Sequence, residues 1–463
     1  MDKNNRLVLD SLYILLTVLA GTIIEWPIIV VSLLSYVFGI LVSSLIFKGL
    51  NDAVVYRKLF IIGYLYFLIC AFFMLFHDFS WLLSPDTGTF VDRIQSMVIE
   101  GEGNYMNILS SIYSDFNVFT SEEHFFYAYS SLWGILIWSL GGNFYLCLQL
   151  SVLLIYALAG VVIYEILTIN HIPRSKGQNY TIIICTISIF LFYSTQVLRD
   201  IHIMFMYLCT FYIILKSKNF SIKHLLFLII IIFITMGLRI ESGLFLFTSI
   251  PLYILSLLNK TRQKLILTAI SVPLLVVLFF LYSKYSYSVE EVYEFNREHY
   301  VDNVAEGAGV IGSLQKIPVL GDILSIFYNA LLPIPCWSRL SPFGGKYGLE
   351  AYNILNFPKT TASFLNLLTI IFILSWLLNN KVNVQMRGKV SNSMKYLLIC
   401  GFVFLYLQSA VIDFRRLMGY YSLFYILFFM IWNNIKRETR KQLVQTTVFI
   451  YVFIQLFGLI YIG

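Results

Sequence analysis

Asp86 stands in the stretch Leu83-Ser-Pro-Asp-Thr-Gly-Thr-Phe-Val-Asp-Arg93, directly behind an apolar run that ends near Phe76. A carboxylate held at the mouth of a membrane helix bundle is costly to keep there and is a functional-site hypothesis by default. The ordinary use of the same residues is a turn made by Pro85 and Gly88, with Asp86 as the N-cap of a following helix. Three later corners bring acid and guanidinium together: Gln196-Val-Leu-Arg-Asp200, Gly237-Leu-Arg-Ile-Glu-Ser-Gly243 and Asp413-Phe-Arg-Arg416. Taken singly, Arg199/Asp200 and Arg239/Glu241 read as interface salt bridges, and Arg415/Arg416 as lipid-phosphate contacts. Taken as a set on the face that carries Asp86, the arginines suit phosphate or pyrophosphate, which they clamp in a bidentate way, and a carboxylate near them suits a general base.

The elements that must position these groups are membrane helices. With 59% hydrophobic and 12% charged residues and a mean hydropathy of +0.79, the chain is a polytopic all-α membrane protein rather than a soluble globule. Its apolar runs are long and do not alternate with period two, which excludes a β-barrel. The net charge of +7 sits in short basic clusters between apolar runs, so it reports topology and not nucleic acid. The first run follows Lys3 and Arg6, lacks a small-residue cleavage site, and reads as a retained helix.

Helices are predicted at 8–24, 28–47, 59–76, 144–167, 180–195, 201–216, 224–238, 243–258, 265–282, 361–379, 396–411, 417–433 and 443–461, thirteen spans of about 20 residues or fewer. The aromatic run His124 to Leu140 is assigned to helices lying in the interface. Arg174/Lys176, Lys216/Lys218/Lys223, Lys260/Arg262/Lys264, Lys381 to Lys395 and Lys436 to Lys441 then fall inside, with the amino end inside and the carboxyl end outside. The chain reads as a single integral membrane domain, 1–463, with two large extracytoplasmic loops, 77–143 and 283–360, capping the bundle. Most acidic residues, including Asp92 and the cluster Glu290 to Glu306, lie on that outer side, where Val289 to Glu306 has helical spacing. Five of six cysteines lie within spans and only Cys336 lies outside, so no disulfide is expected in the cap; no Cys/His spacing suggests zinc.

The order of features resembles the GT-C superfamily of membrane glycosyltransferases, in the branch of the lipid A aminoarabinose transferase and the protein mannosyltransferases. The residues that carry the resemblance are Pro85-Asp-Thr-Gly-Thr-Phe90, Glu123 to Tyr129, Trp133, Trp138, Gly141-Gly-Asn143, the basic loop Arg174 to Gln178, the corner Thr195 to Asp200 and the pair Met236-Gly237. They cover residues 80–245. Two departures stand out: Thr87 replaces the second acid of the first motif, and two extra spans precede it. The resemblance implies that Asp86 deprotonates or orients the acceptor and that Asp200 assists or holds a divalent metal. Arg199, Arg239, Arg415 and Arg416 would bind the phosphate of a polyprenyl-linked sugar or oligosaccharide, with Asp92, Glu241 and Trp337 in support. Tyr293, Trp337 and Tyr347 would stack on sugars or, as aromatic-belt residues do, anchor the interface. The membrane implied is a bacterial inner membrane.

Surface-polysaccharide repeat-unit polymerases of the O-antigen and capsule type share many spans and two Arg-rich outer loops, and are the specific version of this expectation. A lipid-linked oligosaccharide flippase or another transporter is the rival class, and a non-enzymatic scaffold a third. A transporter predicts mid-bilayer charges, broken helices and repeated halves. No soluble nucleotide-sugar domain, Walker-type loop or nucleic-acid module is present.

Overall fold

A computed structural model describes residues 3–47, 50–76, 85–114, 123–217, 221–247, 357–407 and 417–462, with 324, 326, 327, 330 and 331. These residues form helices with no strand among them. Among the described residues, five helices are long and apolar enough to cross a membrane, at 6–23, 27–46, 52–72, 144–169 and 358–378, and the described residues are those of an all-α membrane protein.

The first three helices are α1 (Lys3–Ile23), α2 (Pro27–Phe47) and α3 (Leu50–Phe76). Then come three shorter ones, α4 (Pro85–Glu100), α5 (Tyr105–Tyr113) and α6 (His124–Ser139), in the stretch expected to form the first outer loop. α7 (Phe144–Ile169), α8 (Arg174–Ile187), the short α9 (Phe190–Tyr193), α10 (Asp200–Lys216), α11 (Ile222–Leu238) and α12 (Ile240–Phe247) follow. The carboxyl-terminal part holds α13 (Phe357–Leu378), α14 (Asn380–Met386), α15 (Asn392–Leu407), α16 (Met418–Asn434) and α17 (Arg437–Ile462).

α7 is the axis of the described structure. It carries no charge before Glu165, is buried along nearly its whole length, and packs against α2, α3, α6, α8, α10 and α16. A helix apolar all round belongs inside, where every face meets another helix. Gly160 permits one of these approaches: a Cβ there would lie 2.0 Å from Leu59 Cδ1 of α3, so the Leu59 side chain could not keep its present position. The head of α7 is doubly capped. The Asn143 side chain accepts from Leu146 N at 3.2 Å, while Glu25, in the turn between α1 and α2, accepts from Asn143 N at 3.0 and 3.1 Å and from Cys147 Sγ at 3.1 Å. A carboxylate at a helix N-terminus satisfies orphan N–H groups and meets the positive end of the dipole.

Several boundaries differ from expectation for physical reasons. α3 begins at Leu50, not 59, because Asp52 is buried and Arg57 is paired with Asp10 at 2.8 Å, so these polar residues continue the helix. The run expected as one helix over 180–195 is broken: Ser188 takes an extended conformation, with ψ of 172°, between α8 and α9. Of the span expected at 243–258, the described part is α12; the span at 265–282, the helix Val289 to Glu306 and nearly all of 283–360 lie outside the described residues. Cys70, Cys147, Cys185, Cys209 and Cys400 are free thiols on helices; Cys336 lies outside the described residues.

Candidate functional site

The first acidic motif forms the start of α4, with Pro85 at the opening and Asp86 in the first turn, where Pro has no N–H to lose and a carboxylate faces the positive helix end. Asp86 is half-buried, and Thr87 beside it is fully buried. The Thr87 hydroxyl donates to Gln196 Oε1 at 3.3 Å, across 109 residues of chain. This contact joins the head of α4 to the Gln196–Asp200 corner, four residues before the second candidate carboxylate. Thr87, which stands where the resembled motif has its second acid, is therefore the link between the two acidic segments.

Asp200 opens α10 and is buried; Arg239 is the extended residue, φ −159° and ψ 118°, that divides α11 from α12. Arg239 Nη2 donates to Asp200 Oδ1 at 2.8 Å. The side chains are 6% and 2% exposed, so each charge depends on the other, as a buried ion demands. Across the two corners, Arg239 takes Asp200 as an ion-pair partner, a pairing that adjacency in sequence does not suggest. Glu241 lies on α12, with its side chain outside the described residues.

Arg199 turns the other way. Its Nη1 donates to Leu238 O at 3.0 Å and lies 3.0 Å from Glu123 Oε1. Glu123 also accepts from the Tyr127 hydroxyl at 2.9 Å, and the Arg93 guanidinium lies 4.7 Å from the Tyr127 ring centroid. Burial first, and the Glu123 carboxylate second, raise Tyr127 above an ordinary phenol, so it remains a donor at neutral pH. α11 reaches this place because Gly237 lets Phe125 close on it; a Cβ at Gly237 would lie 1.9 Å from the ring. Asp92, on the same helix as Arg93, instead accepts a hydrogen bond from Tyr145 at the head of α7.

The structure thus pairs Asp200 with Arg239, sets Arg199 against Glu123, and ties Thr87, the residue after Asp86, to Gln196. Arg415, Arg416 and Trp337, with Tyr293 and Tyr347, lie outside the described residues. Sequence reasoning gave no role to Arg93, Glu123, Tyr127 or Gln196, although Glu123 and Tyr127 stand at the i, i+4 spacing that places two side chains on one helix face. It also passed over His202, buried on α10 with its ring centroid 5.3 Å from that of Phe126 and 5.1 Å from that of Tyr129. Among the described residues, no three His, Cys, Asp or Glu side chains gather to hold a metal ion. Asp200 faces a guanidinium, a poor neighbour for a divalent cation; the residues described do not fit the metal that the resemblance implies.

What this arrangement offers chemically is a half-buried carboxylate at the head of α4 and, at the corner that Thr87 contacts, two guanidinium groups held by protein acceptors. Such fixed cations can stabilise negative charge on an anionic ligand, and the carboxylate can act on a proton. No family model matches the chain, and no curated protein or solved structure matches it.

Proposed function

We propose that the chain is an integral membrane glycosyltransferase of surface-polysaccharide assembly. It transfers sugar from a polyprenyl-phosphate or pyrophosphate-linked donor on the extracytoplasmic side of a bacterial inner membrane, with repeat-unit polymerisation as the specific form to test. The observation that supports this reading is the Thr87–Gln196 bond, which ties the head of α4 to the segment leading into Arg199 and Asp200, with Asp200 paired to Arg239. In this reading the chain crosses the membrane thirteen times. Asp86 orients or deprotonates the acceptor hydroxyl. Asp200 holds Arg239 in place, and Arg199 and Arg239 supply the positive field for the leaving phosphate. An apolar cavity of about 310 Å³ between α13, α15 and α16, rimmed by the exposed Leu374 and Phe402, has the chemistry of a hydrocarbon tail and supports a lipid-linked donor.

A second reading, a flippase or other transporter, draws on the break at Ser188 and on the extended residue between α11 and α12, since transporters place sites at discontinuous helices. One experiment separates the two. The host glycan is profiled with the wild-type gene, without it, and with Asp86→Asn or Asp200→Asn. A polymerase leaves single repeats attached when lost, and a simple transferase leaves one sugar missing. Asp86→Asn, expressed and folded, is expected to reproduce the deletion. An unchanged glycan in that variant refutes the catalytic role of Asp86, and donor trapped on the inner leaflet supports the transporter.

A further inference from the structure

Glu123 is the member of this cluster to which the proposed transfer gives no task. It precedes α6 with φ of +79°, the left-handed region that a residue bearing a Cβ enters at a cost. Its carboxylate serves two partners: Oε1 meets Arg199 directly, and Oε2 accepts from Tyr127, which Arg93 covers. One carboxylate therefore lies between a guanidinium of the corner before α10 and, through a phenol, a guanidinium of α4. The two ion pairs of the site differ in what they can give up. Asp200 and Arg239 are almost wholly enclosed, whereas Glu123 and Arg199 retain 21% and 14% side-chain exposure. Only the second pair can exchange its anion for one from outside without stranding a charge in the interior. Arg199 keeps its bond to Leu238 O when Glu123 leaves, so the guanidinium stays aimed.

We propose that Arg93 and Arg199 form a seat for a phosphate or pyrophosphate group, and that the Glu123 carboxylate is its resident counter-ion, displaced when that group binds. The choice of a phosphate-bearing ligand rests on the glycosyltransferase reading. A dianion placed between two guanidinium groups gains charge-assisted bonds to both, while Glu123 needs only to swing toward solvent and relax its backbone. The more enclosed Arg239 then shapes the field, and Arg199, with the greater exposure of the two, makes the contact.

The test uses the full chain in lipid nanodiscs, with inorganic pyrophosphate as the probe in titration calorimetry. Glu123→Gln removes the competing charge at constant size and is expected to tighten binding about tenfold, and Arg199→Gln to remove it. Tyr127→Phe loosens the hold on Glu123 while keeping the ring, and about threefold tightening is expected; this variant carries the test where Glu123→Gln does not fold. Binding that is unchanged or weaker in both Glu123→Gln and Tyr127→Phe overturns the proposal, as does pyrophosphate binding that survives Arg199→Gln, or none in any variant. Pyrophosphate binding that follows the expected order in a protein without sugar transfer upholds the seat and refutes the transferase. Sugar transfer with pyrophosphate binding indifferent to Glu123 does the reverse.

Discussion

Replacing Arg239 with Met keeps most of the side-chain volume and removes its charge, taking from the enclosed Asp200 its 2.8 Å guanidinium contact. At the observed 2.8 Å the two charges attract by about 6 kcal/mol if the effective dielectric constant is near 20. Desolvating each ion costs several kcal/mol, so the intact pair is close to neutral against an apolar pair of the same size. The asymmetry appears when one partner goes, and Arg239→Met is expected to cost about 3 to 5 kcal/mol. Asp200→Leu is expected to do the same, whereas the double variant Asp200→Leu/Arg239→Met should return to within about 1 kcal/mol of the parent, a coupling energy that only contacting residues show. Reversible unfolding in mixed micelles, read by helical circular dichroism, measures all four corners of this cycle. Single substitutions that each cost less than about 1 kcal/mol and simply add would refute the claim that the pair is enclosed and mutually dependent. The less enclosed pair Glu123–Arg199, 21% and 14% exposed, provides the internal contrast, since Glu123→Gln should cost less than Arg239→Met.

Other expectations follow from the same contacts. Glu25→Ala removes the acceptor of Asn143 N and Cys147 Sγ at the head of α7, and a loss of about 1 to 2 kcal/mol is expected in the same unfolding assay. Gly237→Ala forces Phe125 out of the gap between α6 and α11 and should cost about 1 to 3 kcal/mol, with partial recovery in Gly237→Ala/Phe125→Leu if the overlap is the cause. Thr87→Val keeps the shape of the α4 head and breaks its bond to Gln196; a loss of about 1 kcal/mol is expected together with reduced sugar transfer, and an unchanged variant would deny the link a role.

Much of the architecture was legible because long apolar runs have few alternatives. α2, α7, α10 and α11 fall within a few residues of their expected limits, and the aromatic run from His124 is a helix of its own. The start of α3 was not legible because the helix accommodates polar residues by pairing them in three dimensions: Arg57 finds Asp10, 47 residues away. The break at Ser188 carries no Pro or Gly to announce it. At the site, residue types pointed to Asp86, Arg199, Asp200 and Arg239, but composition cannot say who meets whom. Neighbours in sequence suggested partners within one corner, and nothing local announces that the packing of α10 against α11 brings Arg239 to Asp200. Glu123, noted only as the start of the stretch to Tyr129, had no role because its partner Arg199 stands 76 positions further on, and nothing local marks that encounter.

The central claim is that the head of α4 and the corner before α10 share one site. It is tested by cysteine cross-linking in membranes. Thr87→Cys and Gln196→Cys are combined in a chain whose six native cysteines are replaced, and a short bifunctional methanethiosulfonate, long enough to replace the reach of the Gln196 side chain, is added. The expected result is an intramolecular cross-link between positions 87 and 196, released by a reductant and absent from either single variant. Two thiols that remain separately accessible to maleimide, with no cross-link formed, would place the two acidic segments apart and contradict the account.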